Sequence, residues 1–229
     1  MMKTSKLAIA TATLAAGFCM TATAMANSPT FAHDPFTDIP EGSASFNAVE
    51  YLRLNNLVKG YEDGTFQPGR RMNRAEFVQL MTNPFLLRAT RASDCTENSG
   101  MTGSLIPAFS DVHEDAWYAR SVCIAKMYGI INGYPDGTFR GNDPITFVEA
   151  AKVASNVLEL NAQGGADGGH DPRWYTVYVL RLSERNSIPT SIKAFDQVIT
   201  RGEMAEMVYR LAAEKTNLPS NHYENFPKP

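Results

Sequence analysis

Apolar residues are arranged in two ways along this chain. The first is one unbroken run, Leu7 to Met20, rich in small residues, preceded by Lys3 and Lys6 and followed by Ala24-Met25-Ala26. A positive start, a short apolar stretch and a small-x-small ending predict an export signal removed after Ala26. The run is shorter than the roughly 20 residues that span a bilayer, and Phe18 ahead of Cys19 does not suit lipid-modifying processing. The second arrangement is periodic. Val49, Leu52 and Leu57, and later Val122, Ala125 and Ile130, recur near helical spacing. Three further stripes are read as core: Phe77, Leu80 and Met81; Ala150, Val153 and Val157; Met204, Met207, Val208 and Leu211. Each of these three follows a capping pattern, Asn73 with Glu76, Thr146 with Glu149 and Thr200 with Glu203, so each predicts a helix with a defined start.

Between a first stripe and its partner lies turn chemistry. Gly60-Tyr61-Glu62-Asp63-Gly64-Thr65-Phe66 and Gly133-Tyr134-Pro135-Asp136-Gly137-Thr138-Phe139 put glycine where φ must turn positive, and Thr-Phe after it predicts a short extended piece. Gly129 or Gly133 is the expected stop of the preceding helix. The chain therefore reads as helix, loop, helix, repeated. Phe36 and Phe109, Gly60 and Gly133, and Glu76 and Glu149 are each separated by 73 positions, so three landmarks share one offset. A third, degraded copy runs from Trp174-Tyr175, which matches Trp117-Tyr118, to Thr200-Arg201-Gly202-Glu203, and has Ile188-Pro189-Thr190 in place of the Asp-Gly turn. Units of this size bury their faces only against one another.

Phe-x-Asp-Ile/Val, an aromatic near the first helix, Gly-Tyr-Pro-Asp-Gly-Thr-Phe and Thr-Arg-x-Glu together resemble the S-layer homology (SLH) domain family, over nearly all of residues 31–215. The resemblance implies a mostly helical fold of three helix-loop-helix units, packed as a pseudo-threefold assembly around a central three-helix bundle. It also implies grooves between units that hold secondary cell wall polymers, often pyruvylated, or peptidoglycan-linked glycans. The resulting division is a signal peptide at 1–26, repeat 1 at 31–88, a linker at 89–104, repeat 2 at 105–161, a glycine-rich linker at 162–170, the degenerate repeat 3 at 171–215 and a short tail at 216–229.

Candidate binding residues follow from the same motifs. Arg74 and Arg201 fall at the first helical position, where the helix dipole disfavours a cation unless an anion is present. They are expected to hold a carboxylate of the wall polymer, the competing expectation being an exposed pairing with a nearby acid. Phe147 stands at the corresponding position of the second copy, which puts that groove in doubt, although an arginine there is expected to be tolerated. Tyr61, Tyr134, Trp117 and Trp174 offer flat faces to sugar rings, unless the tryptophans plug the bundle. Asp63 and Asp136 can accept sugar hydroxyls, and N–H groups around Gly64 and Gly137 can donate to an anion, unless the turns consume them.

Composition narrows the functional classes. The 229 residues carry 21 Lys plus Arg against 24 Asp plus Glu, a formal charge of -3. Removing Lys3 and Lys6 with the signal leaves 19 basic against 24 acidic residues, and a chain of that sign is not expected to bind nucleic acid. His113-Glu114-Asp115 lacks HExxH spacing and His170 lies in the glycine-rich loop, so neither metal nor cofactor is expected. No catalytic set is assigned, and an enzyme is not expected. Cys95 and Cys123 remain after signal removal, and in an exported chain they are expected to form a disulfide rather than a redox or metal pair. The expected protein is a cell-envelope anchor bound noncovalently to wall polysaccharide or peptidoglycan. The alternative is an envelope protein whose degenerate grooves bind another envelope protein.

Overall fold

A computed structural model describes residues 35–85, 108–158 and 173–227. The signal segment, the linker that contains Cys95, and the glycine-rich linker lie outside these residues. Six helices are described: α1 (Phe46–Leu54), α2 (Arg74–Phe85), α3 (Ala119–Met127), α4 (Phe147–Val157), α5 (Thr176–Glu184) and α6 (Arg201–Ala212). They form three helix-loop-helix pairs in chain order, and among the described residues there is no strand. The extended pieces expected after the Asp-Gly turns do not form a ladder. Extended backbone pairs only as isolated bridges immediately ahead of α2, α4 and α6, between Arg71 and Thr200, Asn73 and Pro144, and Thr146 and Val198.

The helix starts follow the capping patterns. Glu76 N–H donates to Asn73 Oδ1 at 2.8 Å and Asn73 N–H donates to Glu76 at 3.2 Å. Thr146 N–H donates to Glu149 at 3.0 Å, and Thr200 N–H donates to Glu203 at 2.9 Å. Two orphan donors at each start are thereby satisfied where the sequence places an acid three residues into the helix. The first helix of each pair ends on a residue with positive φ: Asn56, Gly129 and Asn186. Gly129 is therefore the stop, and Gly133 serves another purpose. A Cβ at Gly133 would lie 2.2 Å from the ring of Phe109, so glycine is needed there for close approach as well as for its φ of 73°.

The loops are held by a device that occurs twice. Asp111 accepts the Phe139 and Arg140 N–H groups at 2.7 Å each, one per carboxylate oxygen, and Asp38 does the same for Phe66 and Gln67, also at 2.7 Å each. Gln67 and Arg140 both have a φ of 57°, so the carboxylate secures a backbone conformation that L-residues otherwise avoid. This pins Phe66 and Phe139, which are fully buried, against Phe36 and Phe109 with ring centroids 5.4 and 5.7 Å apart.

The units join in a cycle. α2 packs on α3, α4 on α5 and α6 on α1, with α2 also against α4. Ahead of the second helices, Met72 N–H donates to Ile199 O (3.1 Å), Ile199 N–H to Ile145 O (3.1 Å) and Ile145 N–H to Met72 O (3.0 Å). These three bonds close on themselves. Met72, Ile145 and Ile199 are buried there, together with Phe77, Ala150, Met204 and Met207 from the helices that follow. Of the predicted stripes Leu57 and Leu80 are half-buried, because both face a cleft described below.

Candidate functional site

The first residue of each second helix docks on the loop of the next unit. Arg201 N–H donates to Arg70 O at 2.9 Å, Arg74 N–H to Asp143 O at 3.0 Å and Phe147 N–H to Gln197 O at 2.8 Å. The three backbones are equivalent and the three side chains are not. Arg201 reaches across the interface, where its Nε donates to Phe66 O (2.8 Å) and its Nη2 to Lys59 O (3.3 Å), with the guanidinium over the rings of Tyr61 and Phe66. Arg74 does likewise toward Phe139 O (3.0 Å), over the rings of Tyr134 and Phe139, and pairs with Glu149 at 2.8 Å. Both arginines are about 9% exposed. Neither is the exposed arginine of the competing expectation, and neither needs an anion to be held in place: each satisfies a buried carbonyl of the neighbouring unit, a contact hidden by a separation of 135 positions in the case of Arg201 and Phe66.

Two clefts open beside these arginines. The first, about 490 Å³, is lined by Asn55 to Lys59 after α1, by Glu76, Gln79 and Leu80 of α2, and by Arg201. The second, about 410 Å³, is lined by Ile130 to Pro135, by Glu149 and Lys152 of α4, by Arg74, and by Trp174. Trp174 and Trp117 are 53% and 57% exposed at the heads of α5 and α3, so neither plugs the bundle. Trp174 forms a wall of the second cleft, and the Trp117 carbonyl accepts from Gln79, which lines the first.

Electrostatics separates the two clefts. In the first, Arg70 takes Glu76, and among the described residues Arg201 makes no ion pair. Burial holds the Arg201 guanidinium below its ordinary value, the expected sign for a desolvated cation. In the second, burial pushes the Glu149 carboxyl up, but the Thr146 N–H, the Arg74 charge and the Tyr134 hydroxyl outweigh it and hold the group below its ordinary value. Burial, with Arg74 nearby, lowers Lys152. Both clefts present more cationic than anionic side chains, the first with the less compensated charge.

The turn residues are engaged in their own loops. Asp63 accepts from Thr65 N–H and Oγ1 at 2.9 and 2.7 Å, and Asp136 accepts from Thr138 N–H and Oγ1 at 3.0 and 2.6 Å and from Arg140 at 2.8 Å. These contacts, with the Thr138 hydroxyl foremost, bring Asp136 down to about 2. Gly64 and Gly137 donate their N–H groups to Tyr61 O and Tyr134 O at 3.0 Å, which leaves neither N–H for an anion. Tyr134 lines the second cleft and donates its hydroxyl to Glu149 at 2.8 Å, while Tyr61 stacks under Arg201 and Arg70. Sequence reasoning missed Lys59, Gln79 and Lys152, which repeat no motif, and it missed the pairing of Glu149 with Arg74 and Tyr134 beyond its cap.

The third position differs throughout. Phe147 is fully buried and stacks on Phe226 at 5.6 Å, so an arginine there would break that stack and put a cation among packed aromatic rings, against the expectation that it is tolerated. Residues 216–227, expected as a short tail, fold back onto the third pair, and Cys123 lies half-buried on α3. Among the described residues no group of three His, Cys, Asp or Glu side chains could hold a metal ion.

A mostly helical repeat body with inter-unit clefts is the class of protein these features define. Residues 35–78 and 108–151 each match the S-layer homology domain, and the chain carries S-layer homology domains at these two segments. It is similar to a cellulosome-anchoring protein of Acetivibrio thermocellus, 30% identical over 131 residues, covering 57% of this chain and 27% of that protein. It is also similar to exoglucanase XynX of Acetivibrio thermocellus, 28% identical over 196 residues, covering 80% of this chain and 17% of the relative. A surface layer protein of Brevibacillus choshinensis is 28% identical over 146 residues, covering 63% and 12%. The chain thus spans about a quarter or less of the length of these relatives. The domains and the relatives indicate a cell-envelope or surface location, and no described helix is long and apolar enough to cross a membrane.

Proposed function

We propose that the chain anchors noncovalently to the cell wall by binding an anionic secondary cell wall polymer or a peptidoglycan-linked glycan in the clefts beside Arg201 and Arg74. It acts as a binding module without catalysis, its three units set about a pseudo-threefold axis. The observation that carries the reading is Arg201: a nearly buried guanidinium with no ion pair among the described residues, placed on an aromatic ring at the edge of an open cleft. A carboxylate entering that cleft gains a charge-assisted hydrogen bond where water is largely excluded. Trp117 and Trp174 supply faces for sugar rings, and Tyr61 and Tyr134 orient the arginines beneath them.

The test is cosedimentation of the mature protein with purified sacculi, before and after acid stripping of attached polymer. Binding is expected to be lost on stripping. Arg201→Ala is expected to weaken binding about tenfold or more, from loss of a contact worth roughly 1.5–3 kcal/mol. Arg74→Ala is expected to weaken it less, because Glu149 already compensates Arg74. Binding that survives stripping and both substitutions would replace the glycan with a protein partner.

A further inference from the structure

The third inter-unit groove already has an occupant. Its backbone frame is that of the other two, since Phe147 N–H docks on Gln197 O as the arginines dock on their loops. Its chemistry is inverted. The helix-start glutamate, Glu203, receives hydrogen bonds from Ser191 (2.8 Å) and Gln197 (2.9 Å) instead of an arginine, and Glu206 with Arg210 lines a remaining cleft of about 320 Å³. Among the described residues no arginine pairs with Glu203 as Arg74 pairs with Glu149. Instead Phe226 lies parallel to Phe147 and to Phe195, with centroids 5.6 and 4.8 Å apart and interplanar angles of 10° and 19°.

The segment that delivers Phe226 is gripped along its length. Arg210 donates to Pro219 O at 2.7 Å. Ser220 Oγ donates to Ile188 O and accepts from Ile188 N–H, at 3.0 and 3.2 Å. Asn221 N–H donates to Ile188 O at 3.0 Å, and its side chain donates to Ile192 O at 2.5 Å. Arg173 donates to the Tyr223 hydroxyl, whose ring packs on Phe195. Backbone pairing at one end, side-chain bonds to loop carbonyls in the middle and an aromatic anchor in an apolar pocket at the other end are the elements of peptide recognition.

We infer that the third groove is a peptide-binding site whose ligand, in cis, is the chain's own segment Pro219–Phe226, with Phe226 as its anchor against Phe147. The inference does not depend on wall binding, and its test uses no wall polymer. A protease site is inserted between Asn217 and Leu218 of the full chain, and the folded protein is cut. The carboxy-terminal fragment is expected to co-elute with the body on gel filtration at micromolar concentration, and the same fragment carrying Phe226→Ala to separate from it. A wild-type fragment that elutes alone, from a body whose circular dichroism is unchanged, overturns the inference. A second measurement needs no cut: hydrogen exchange of the uncut Phe226→Ala protein. Faster exchange confined to residues 219–227 and to the Ile188–Ile192 loop is the expected result. Exchange in the tail equal to wild type overturns the inference.

Discussion

Replacing Asp111 by asparagine removes the charge from a side chain that accepts two consecutive backbone N–H groups, each at 2.7 Å. Asparagine keeps the shape but has one carbonyl oxygen, so one N–H faces an amide NH₂ and the other loses its charged partner. A hydrogen bond to a charged group contributes about 1.5–3 kcal/mol and a neutral one about 1 kcal/mol. The expected loss is therefore about 2–4 kcal/mol, more than a surface substitution gives. The left-handed conformation of Arg140, which costs about 1–2 kcal/mol to hold, is carried by wild type as well, so its relaxation in the variant would offset part of this loss and not add to it. Urea titration followed by circular dichroism measures the change. The accompanying fall in Tm is about 4–15 °C, since a domain of 150–250 residues loses about 2–4 °C per kcal/mol. Asp38→Asn should cost a similar amount, because its two bonds have the same lengths. The clamps share no partner, so the double variant should lose the sum to within about 0.5 kcal/mol. If both single variants lie within 0.5 kcal/mol of wild type, the clamp does not hold the loop and the reasoning fails.

Phe147→Arg is expected to destabilise the protein by about 3 kcal/mol or more, because it removes a fully buried aromatic side chain from its stack on Phe226 and brings a cation into that position; thermal melting checks this, and an unchanged Tm would refute it. Asp63, Asp136 and Glu149 are all held below their ordinary values, so their contribution is present above pH of about 4.5 and is lost as pH falls through the folded values, to about 2 for Asp136. Tm should be flat from pH 7 to 5 and fall between pH 4.5 and 2, with a shallower fall in Asp136→Asn; a Tm independent of pH down to 2 would contradict the assignment. Non-reducing mass spectrometry of protein recovered from the envelope is expected to show a Cys95–Cys123 linked peptide, and free thiols there would remove that expectation.

The helices were legible because their determinants are local. Capping pairs three residues apart, stripes at helical spacing and a terminating glycine such as Gly129 all act within a turn or two. The 73-residue offset likewise exposed the loops, though not their mechanism: Asp38 and Asp111 were visible as repeated letters, while the N–H groups they bind lie 28 and 29 positions away. The site was less legible for the same physical reason. Arg74 and Arg201 look unsupported along the chain because the carbonyls they satisfy belong to another unit. Phe147 reads as a missing arginine until Phe226, 79 positions later, is seen to stack on it. A proline-bearing tail has no periodicity to reveal that its aromatic residues are anchors.

The cycle of Met72, Ile199 and Ile145 hydrogen bonds has a bearing on how such a body can evolve and fail. An open stack of repeats has two ends, frays from them, and lengthens by accepting another copy. A closed cycle has neither end nor vacancy. A fourth unit cannot be inserted without breaking all the geometry that the first three share, and a single unit cannot peel away without opening two interfaces at once. Rupture of one seam therefore leaves the circuit held by the other two.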